Sequence, residues 1–166
     1  SWWIVNALGQ ADISMGVSPI TLMKACKNTV ELQGAADAHK VDAIAMIRFW
    51  IWLEQHWQGQ TEVSISNHLE NLRRAADDCR GLSFPSICGF ADHGAIIHYF
   101  ATAASDKAID DTSLLLLDSG GQYAGGTTDI TRVFHLGAPT EQQKHHYTLV
   151  LRAHLALGRT IFPAGT

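Results

Sequence analysis

Apolar or aromatic positions recur at steps of three, four or seven through Leu32, Ala36, Ala43, Ile47, Trp50, Leu53 and Trp57. That is the period of one helix face, and it predicts a long helix from Asn28 to about Trp57, stopped by Gly59. Asn28 with Glu31 three residues on supplies an Asn-type capping box for its free N–H groups. A second helix is expected from about Ser66 to Cys79, with Leu69, Leu72, Ala76 and Cys79 on one face and Gly81 at its end. From Ser86 the pattern changes. Ile87–Phe90 and Ala95–Tyr99 are short and rich in β-branched or aromatic residues, as strands are. Residues 101–112 read as a solvated connection and Leu114–Leu117 as a buried strand. Thr127–Phe134 alternates with period two, placing Thr127, Asp129, Thr131 and Val133 on one face. A last helix opens after Pro139, capped by Thr140 and Gln143, and carries Tyr147, Val150, Leu151, His154 and Leu155 as its stripe up to Gly158. Residues 1–20 read as a short helix or strand leading into a linker. Helices, then strands, then a helix make an α+β arrangement.

Composition narrows the function more than the fold. The 166 residues carry sixteen acids and twelve bases, a net charge of −4. No basic field invites nucleic acid or anionic lipid. The apolar runs fall far short of the about 20 residues a membrane helix needs. Cys26, Cys79 and Cys88 are odd in number and lack C-x-x-C spacing. They read as small buried hydrophobes in a reducing cytoplasm rather than as disulfides or a zinc site.

The chemistry concentrates in Leu114-Leu115-Leu116-Leu117-Asp118-Ser119-Gly120-Gly121, followed by Gly125-Gly126-Thr127-Thr128-Asp129-Ile130-Thr131-Arg132. Asp118 ends an apolar run, and Asp129 falls mid-strand by the alternation above, where aspartate is disfavoured. Taken alone, Asp118 also suits a turn-capping role. Two carboxylates brought together by a glycine-rich turn repel unless a cation compensates them, and hard divalent ions take such oxygens. Thr131, on the face of Asp129, is placed to orient a ligand carboxylate by hydrogen bonding. His98 closes the run Gly94-Ala95-Ile96-Ile97-His98; a lone histidine there is more often structural than functional. Ser119 lies in no G-x-S-x-G elbow, and the glycine pairs lack the lysine of a phosphate loop.

These segments resemble the Xaa-Pro aminopeptidases (aminopeptidase P), metallopeptidases with the pita-bread fold. Lys24–Asn28 with Glu31 resembles the opening of their catalytic domain, and Ala38-His39 through Asp42, Arg48-Phe49 and Trp52–Glu54 resemble its first long helix. Gly94–Tyr99 resembles the strand with a substrate-binding histidine, and Asp118–Arg132 the first metal-ligand segment. The resemblance covers about residues 20–166. It implies that residues 21–166 form the N-terminal half of a pita-bread domain, with residues 1–20 the end of a preceding domain or a linker. It also implies removal of the N-terminal residue from peptides with proline second. Two divalent ions, Mn²⁺ with Zn²⁺ or Co²⁺ as alternatives, would be bound by Asp118 and by Asp129 as the bridge, and His98 would bind substrate.

The family pattern also needs a histidine and two glutamates, and its proton-accepting glutamate, none of which precedes Thr166. No catalytic set is therefore complete in this chain, and weak or absent metal and no activity are expected of it alone. The apolar surface that a second half would cover predicts a homo-oligomer. Two other readings stand beside this one: a pita-bread binding module without catalysis, which would usually have replaced the two aspartates, and a prolidase acting on Xaa-Pro dipeptides. His93 departs from the residue many relatives carry beside the glycine.

Overall fold

A computed structural model of the chain describes residues 2–9, 11–14 and 16–166. Asn28 opens the longest helix as its capping box predicts: its side-chain oxygen accepts the Glu31 N–H at 2.9 Å, and the Glu31 carboxylate accepts the Asn28 N–H at 2.8 Å. Two short helices precede it, α1 (Trp2–Leu8) and α2 (Pro19–Ala25), neither with a buried residue. The long helix, α3, runs Thr29–His56. Its buried face is not the expected one. Ala38, Asp42, Ala45, Met46, Phe49 and Leu53 are buried, whereas Leu32, Ile47 and Trp50 are more than half exposed. Only Leu53 of the predicted stripe is buried. Two alanines and a charge share the true inner face with Met46, Phe49 and Leu53, while other large apolar side chains sit outside it, so hydrophobicity alone does not pick out the face.

The second helix, α4, spans Glu62–Arg74 rather than 66–79. Thr61 starts it early, its hydroxyl accepting the Ser64 N–H at 3.2 Å while the Ser64 hydroxyl accepts the Thr61 N–H at 2.8 Å. Turns closed by Ala76 N–H on Arg73 and Cys79 N–H on Ala76 end it. Cys79–Leu82 then forms a strand, β1.

The remaining elements are β2 (Ile87–Phe90), a 3₁₀ turn at Ala91–Ala95, β3 (Leu114–Ser119), β4 (Gly121–Tyr123), β5 (Ile130–His135) and α5 (Glu141–Gly158). β1 pairs antiparallel with β4, and β2, β3 and β5 form a three-stranded antiparallel sheet with β3 central. The inner face of that sheet, Leu115, Leu117 and Phe134, meets Phe49 and Leu53 of α3 and Ile65 and Leu69 of α4 in one core. Phe49 and Phe134 pack edge to face, with ring centroids 6.3 Å apart. Thr140 caps α5 as expected, its hydroxyl accepting the Gln143 N–H at 3.2 Å, yet no residue of α5 is buried.

Two expectations for strands change. Ala95–Tyr99 is no strand: the 3₁₀ turn runs into a β-turn closed by Tyr99 N–H on Ile96. The expected strand at 127–134 begins only at Ile130, because Thr127 and Thr128 are held in the glycine turn. Thr127 bridges Gln122, and Thr128 donates its N–H to the Gly121 carbonyl at 2.9 Å. The cysteines also differ from expectation: Cys88 is buried, Cys79 half-buried and Cys26 exposed.

Candidate metal and substrate site

Strand alternation explains how an aspartate can end a run of leucines. Leu115, Leu117 and Ser119 point into the core and are fully buried, while Leu116 and Asp118 fall on the other face and stay half-buried. β3 lies between two partners, so Asp118 stands opposite Ile87 of β2 and opposite Thr131 of β5. Asp118 Oδ1 is buried and has no hydrogen-bond partner among the described residues. A carboxylate oxygen shielded from water without a donor is costly, and a hard cation is the group that satisfies it.

Ile87, Gly94–His98, Leu116, Asp118 and Thr131 line one open recess of about 230 Å³. The structure thus brings three of the four expected site residues, His98, Asp118 and Thr131, to one place. Asp129 does not line that recess. It is exposed, one residue ahead of β5 and two before Thr131, not in mid-strand as expected. Among the described residues no group of three or more His, Cys, Asp or Glu side chains converges on a point that could hold a metal ion. Asp118 fits a metal donor; a full coordination shell needs more ligands than this chain assembles here.

His98 sits in the left-handed region, at φ +56°, as the third residue of its β-turn. A non-glycine residue there is uncommon and is held only where surrounding contacts insist on it. Its neighbour Tyr99 reaches Glu62, which is fully buried at the first turn of α4, where the helix N-terminus favours negative charge. Its carboxylate accepts the Phe90 N–H at 2.7 Å, the Tyr99 hydroxyl at 2.9 Å and a bond from His93 Nδ1 at 2.9 Å. His93 therefore carries its proton on Nδ1, because the oxygens facing it only accept. Burial raises the Tyr99 hydroxyl above its ordinary pKa and keeps it a donor, although Ser105 acts against this and Glu62 with it.

A second buried network holds the glycine turn. Arg73 of α4 donates from Nε at 2.7 Å and from Nη2 at 3.1 Å to the two oxygens of Asp42 on α3, and the Tyr123 hydroxyl donates to Asp42 Oδ1 at 2.8 Å. Burial pushes the Asp42 carboxyl up, but Arg73 and Tyr123 outweigh it and leave it below its ordinary value. The turn also lies against α3 backbone to backbone: a Cβ at Gly34 would collide with the Gly125 carbonyl, and one at Gly126 would come 2.9 Å from Ala35 Cα.

Sequence reasoning missed Glu62, Tyr99, Asp42, Arg73 and Tyr123 as supports of the site. A signal for one existed: Asp42 lies on the helical face of Ala38, Ala45 and Phe49, where an unpaired charge has no place. His98 is expected on a strand and lies instead on a turn beside Tyr99, whose hydroxyl reaches Glu62, 36 positions before His98 in sequence.

The chain is 42% identical over 167 residues to the Xaa-Pro aminopeptidase ApepP of Drosophila melanogaster, covering 99% of this chain and 27% of that protein. It is 39% identical to Aminopeptidase P1 of Arabidopsis thaliana, over 98% of this chain and 29% of the relative. It thus spans little more than a quarter of their length. An X-prolyl aminopeptidase structure from Caenorhabditis elegans, described as a cytosolic enzyme with a di-nuclear active site, superimposes with a TM-score of 0.82 at 34% identity, over 90% of this chain and 25% of that one. The prolidase of Pyrococcus furiosus, at 23% identity and a TM-score of 0.75 over 92% of this chain and 44% of its own, shares the fold. The architecture matches part of the pita-bread fold, as the resemblance implied. With the metallopeptidase family M24 profile matching residues 33–166, the chain belongs to that family.

Proposed function

We propose that this chain is the part of a metal-dependent Xaa-Pro aminopeptidase that supplies Asp118 and Asp129 to a divalent-metal site and His98 to the substrate. The observation that carries the reading is the buried Asp118 oxygen, without a hydrogen-bond partner among the described residues, in a recess shared with His98 and Thr131. The named activities of the Drosophila and C. elegans relatives support it. Bound divalent ions, Mn²⁺ by preference, would supply Lewis-acid polarisation of the scissile carbonyl. His98 would hydrogen-bond the substrate near that carbonyl, and Thr131 would hold the metal-facing carboxylates in orientation. Presence of both aspartates favours this over a binding module without catalysis.

The test is hydrolysis of a peptide with proline second by the protein expressed from its complete reading frame and loaded with Mn²⁺. Cleavage after the first residue, abolished by Asp118→Ala, is the expected result. A loaded protein that leaves the peptide intact sinks the reading. The residues 1–166 alone are expected to show no turnover.

The same reading places the protein in the cytoplasm, in keeping with three unpaired thiols. No helix among the described residues is long and apolar enough to cross a membrane. It also leaves Val150, Leu151 and Leu155 of α5 uncovered. Residues 1–166 are therefore expected to pair with a second copy through that helix, and a monodisperse monomer in sedimentation at micromolar concentration would remove this expectation.

A further inference from the structure

We propose that Glu62 is a positioning residue for His98: its buried carboxylate clamps both ends of the segment 90–99 and sets the turn that presents the histidine to the recess. The proposal rests on the reading of His98 as a substrate-binding residue.

Three observations converge on it. Glu62 is fully buried, and the three partners of its carboxylate are at the start (Phe90 N–H), the middle (His93 Nδ1) and the end (Tyr99 hydroxyl) of one ten-residue segment. That segment holds both left-handed non-glycine residues among the described residues, Ala91 at φ +55° directly after the first clamp point and His98 at φ +56° directly before the last. Strain of this kind persists only where contacts over-determine it. Finally, the clamped segment reaches the recess itself, since Gly94–His98 line it together with Asp118.

The clamp is braced from several sides. The Tyr99 and His93 rings lie 4.4 Å apart between centroids, so removing either loosens the other. The Glu62 N–H donates to the Lys107 carbonyl at 3.0 Å, and Lys107 itself pairs with Asp92 inside the segment. Asp106 Oδ1 accepts the Val63 N–H at 3.0 Å, fixing the start of α4. His93 thereby acquires a purpose: it is the middle donor to Glu62.

A double-mutant cycle tests the proposal, on the protein from its complete reading frame with an Xaa-Pro peptide as probe. Glu62→Gln opposes an amide N–H₂ to one of the donors, and Tyr99→Phe removes one hydroxyl while keeping the ring. Each is expected to lower kcat/KM about tenfold, the scale of one hydrogen bond to a charged group. In a His98→Ala background the same changes should add nothing, because the residue they position is gone. Effects that add in full to His98→Ala, or variants that lower Tm and leave kcat/KM untouched, overturn the proposal. Turnover that His98→Ala leaves undiminished overturns the role of His98 and the proposal with it. NMR of residues 1–166 separates the two failures without substrate. The His98 Cα shift and HN–Hα coupling should leave their left-handed values in Tyr99→Phe, and an unmoved His98 there overturns the clamp itself. Tyr99→Phe, which loses a single oxygen, serves if Glu62→Gln does not fold.

Discussion

α3 and α5 begin alike and end differently. Both open on a capping box whose two reciprocal bonds are present, and both carry large apolar side chains. Six residues of α3 are buried, against the sheet and α4, and none of α5 is. Local chemistry starts a helix, whereas burial depends on what lies opposite. In α3 the inner face is chosen by what the sheet and the glycine turn need, two alanines for close approach and an aspartate for Arg73. The residues that α3 buries keep the helical period more closely than the exposed apolar residues of α5.

Breaking the α3 face should cost most where it is charged. Asp42→Ala leaves Arg73 buried without its counter-charge, and urea unfolding should show a loss of about 3–5 kcal/mol. Leu53→Ala, in the apolar part of the same face, should cost about 2–5 kcal/mol, while Leu155→Ala on α5 should stay within about 0.5 kcal/mol in the monomer. Equal losses at Leu53 and Leu155 would show that α5 is as well packed as α3 and would erase the contrast.

Acid sharpens the contrast in smaller steps. The Asp42 carboxyl is held below its ordinary pKa, so its contribution to stability is full above the unfolded value of about 3.9 and is lost as pH falls through the lower folded value. Urea midpoints measured from pH 6 downward should fall more steeply below pH of about 4 in the wild type than in Asp42→Ala, compared at matched starting stability. Parallel curves would show that the ion pair does not contribute. The mildest probe is thiol labelling at neutral pH. Burial pushes the Cys88 thiol up to about 12, so it should react only on denaturation, while exposed Cys26 should react at once. Labelling of Cys88 in the native protein would mean that the core behind α3 opens.

The sequence was legible where structure is decided locally. The Asn28 and Thr140 boxes, the end of α3 near Trp57 and the stop at Gly158 all follow from neighbours within a turn. The strand at Leu114 and its antiparallel pairing across the glycine-rich turn were legible too, because such a turn between two apolar runs has few other solutions, but the register that sets Asp118 beside Thr131 and leaves Asp129 outside the recess was not. What was not legible depends on partners far along the chain. Asp42 on the inner face of α3 pairs with Arg73 and Tyr123, and the segment around His98 bonds to Glu62. No window short enough to show a period contains both members of such a pair.

The contact between Gly34 and Gly125 constrains the history of this protein as well as its shape. In an ordinary core, one side chain can grow while its neighbour shrinks, so positions drift in pairs and volume is conserved. Here the Gly125 carbonyl already occupies the place of a Gly34 Cβ, and a Gly125 Cβ would come 3.2 Å from Gly34 Cα. Nothing smaller than glycine exists to compensate, so neither residue can release the other. The seam between helix and turn is expected to stay fixed across descendants while the leucines around it are exchanged.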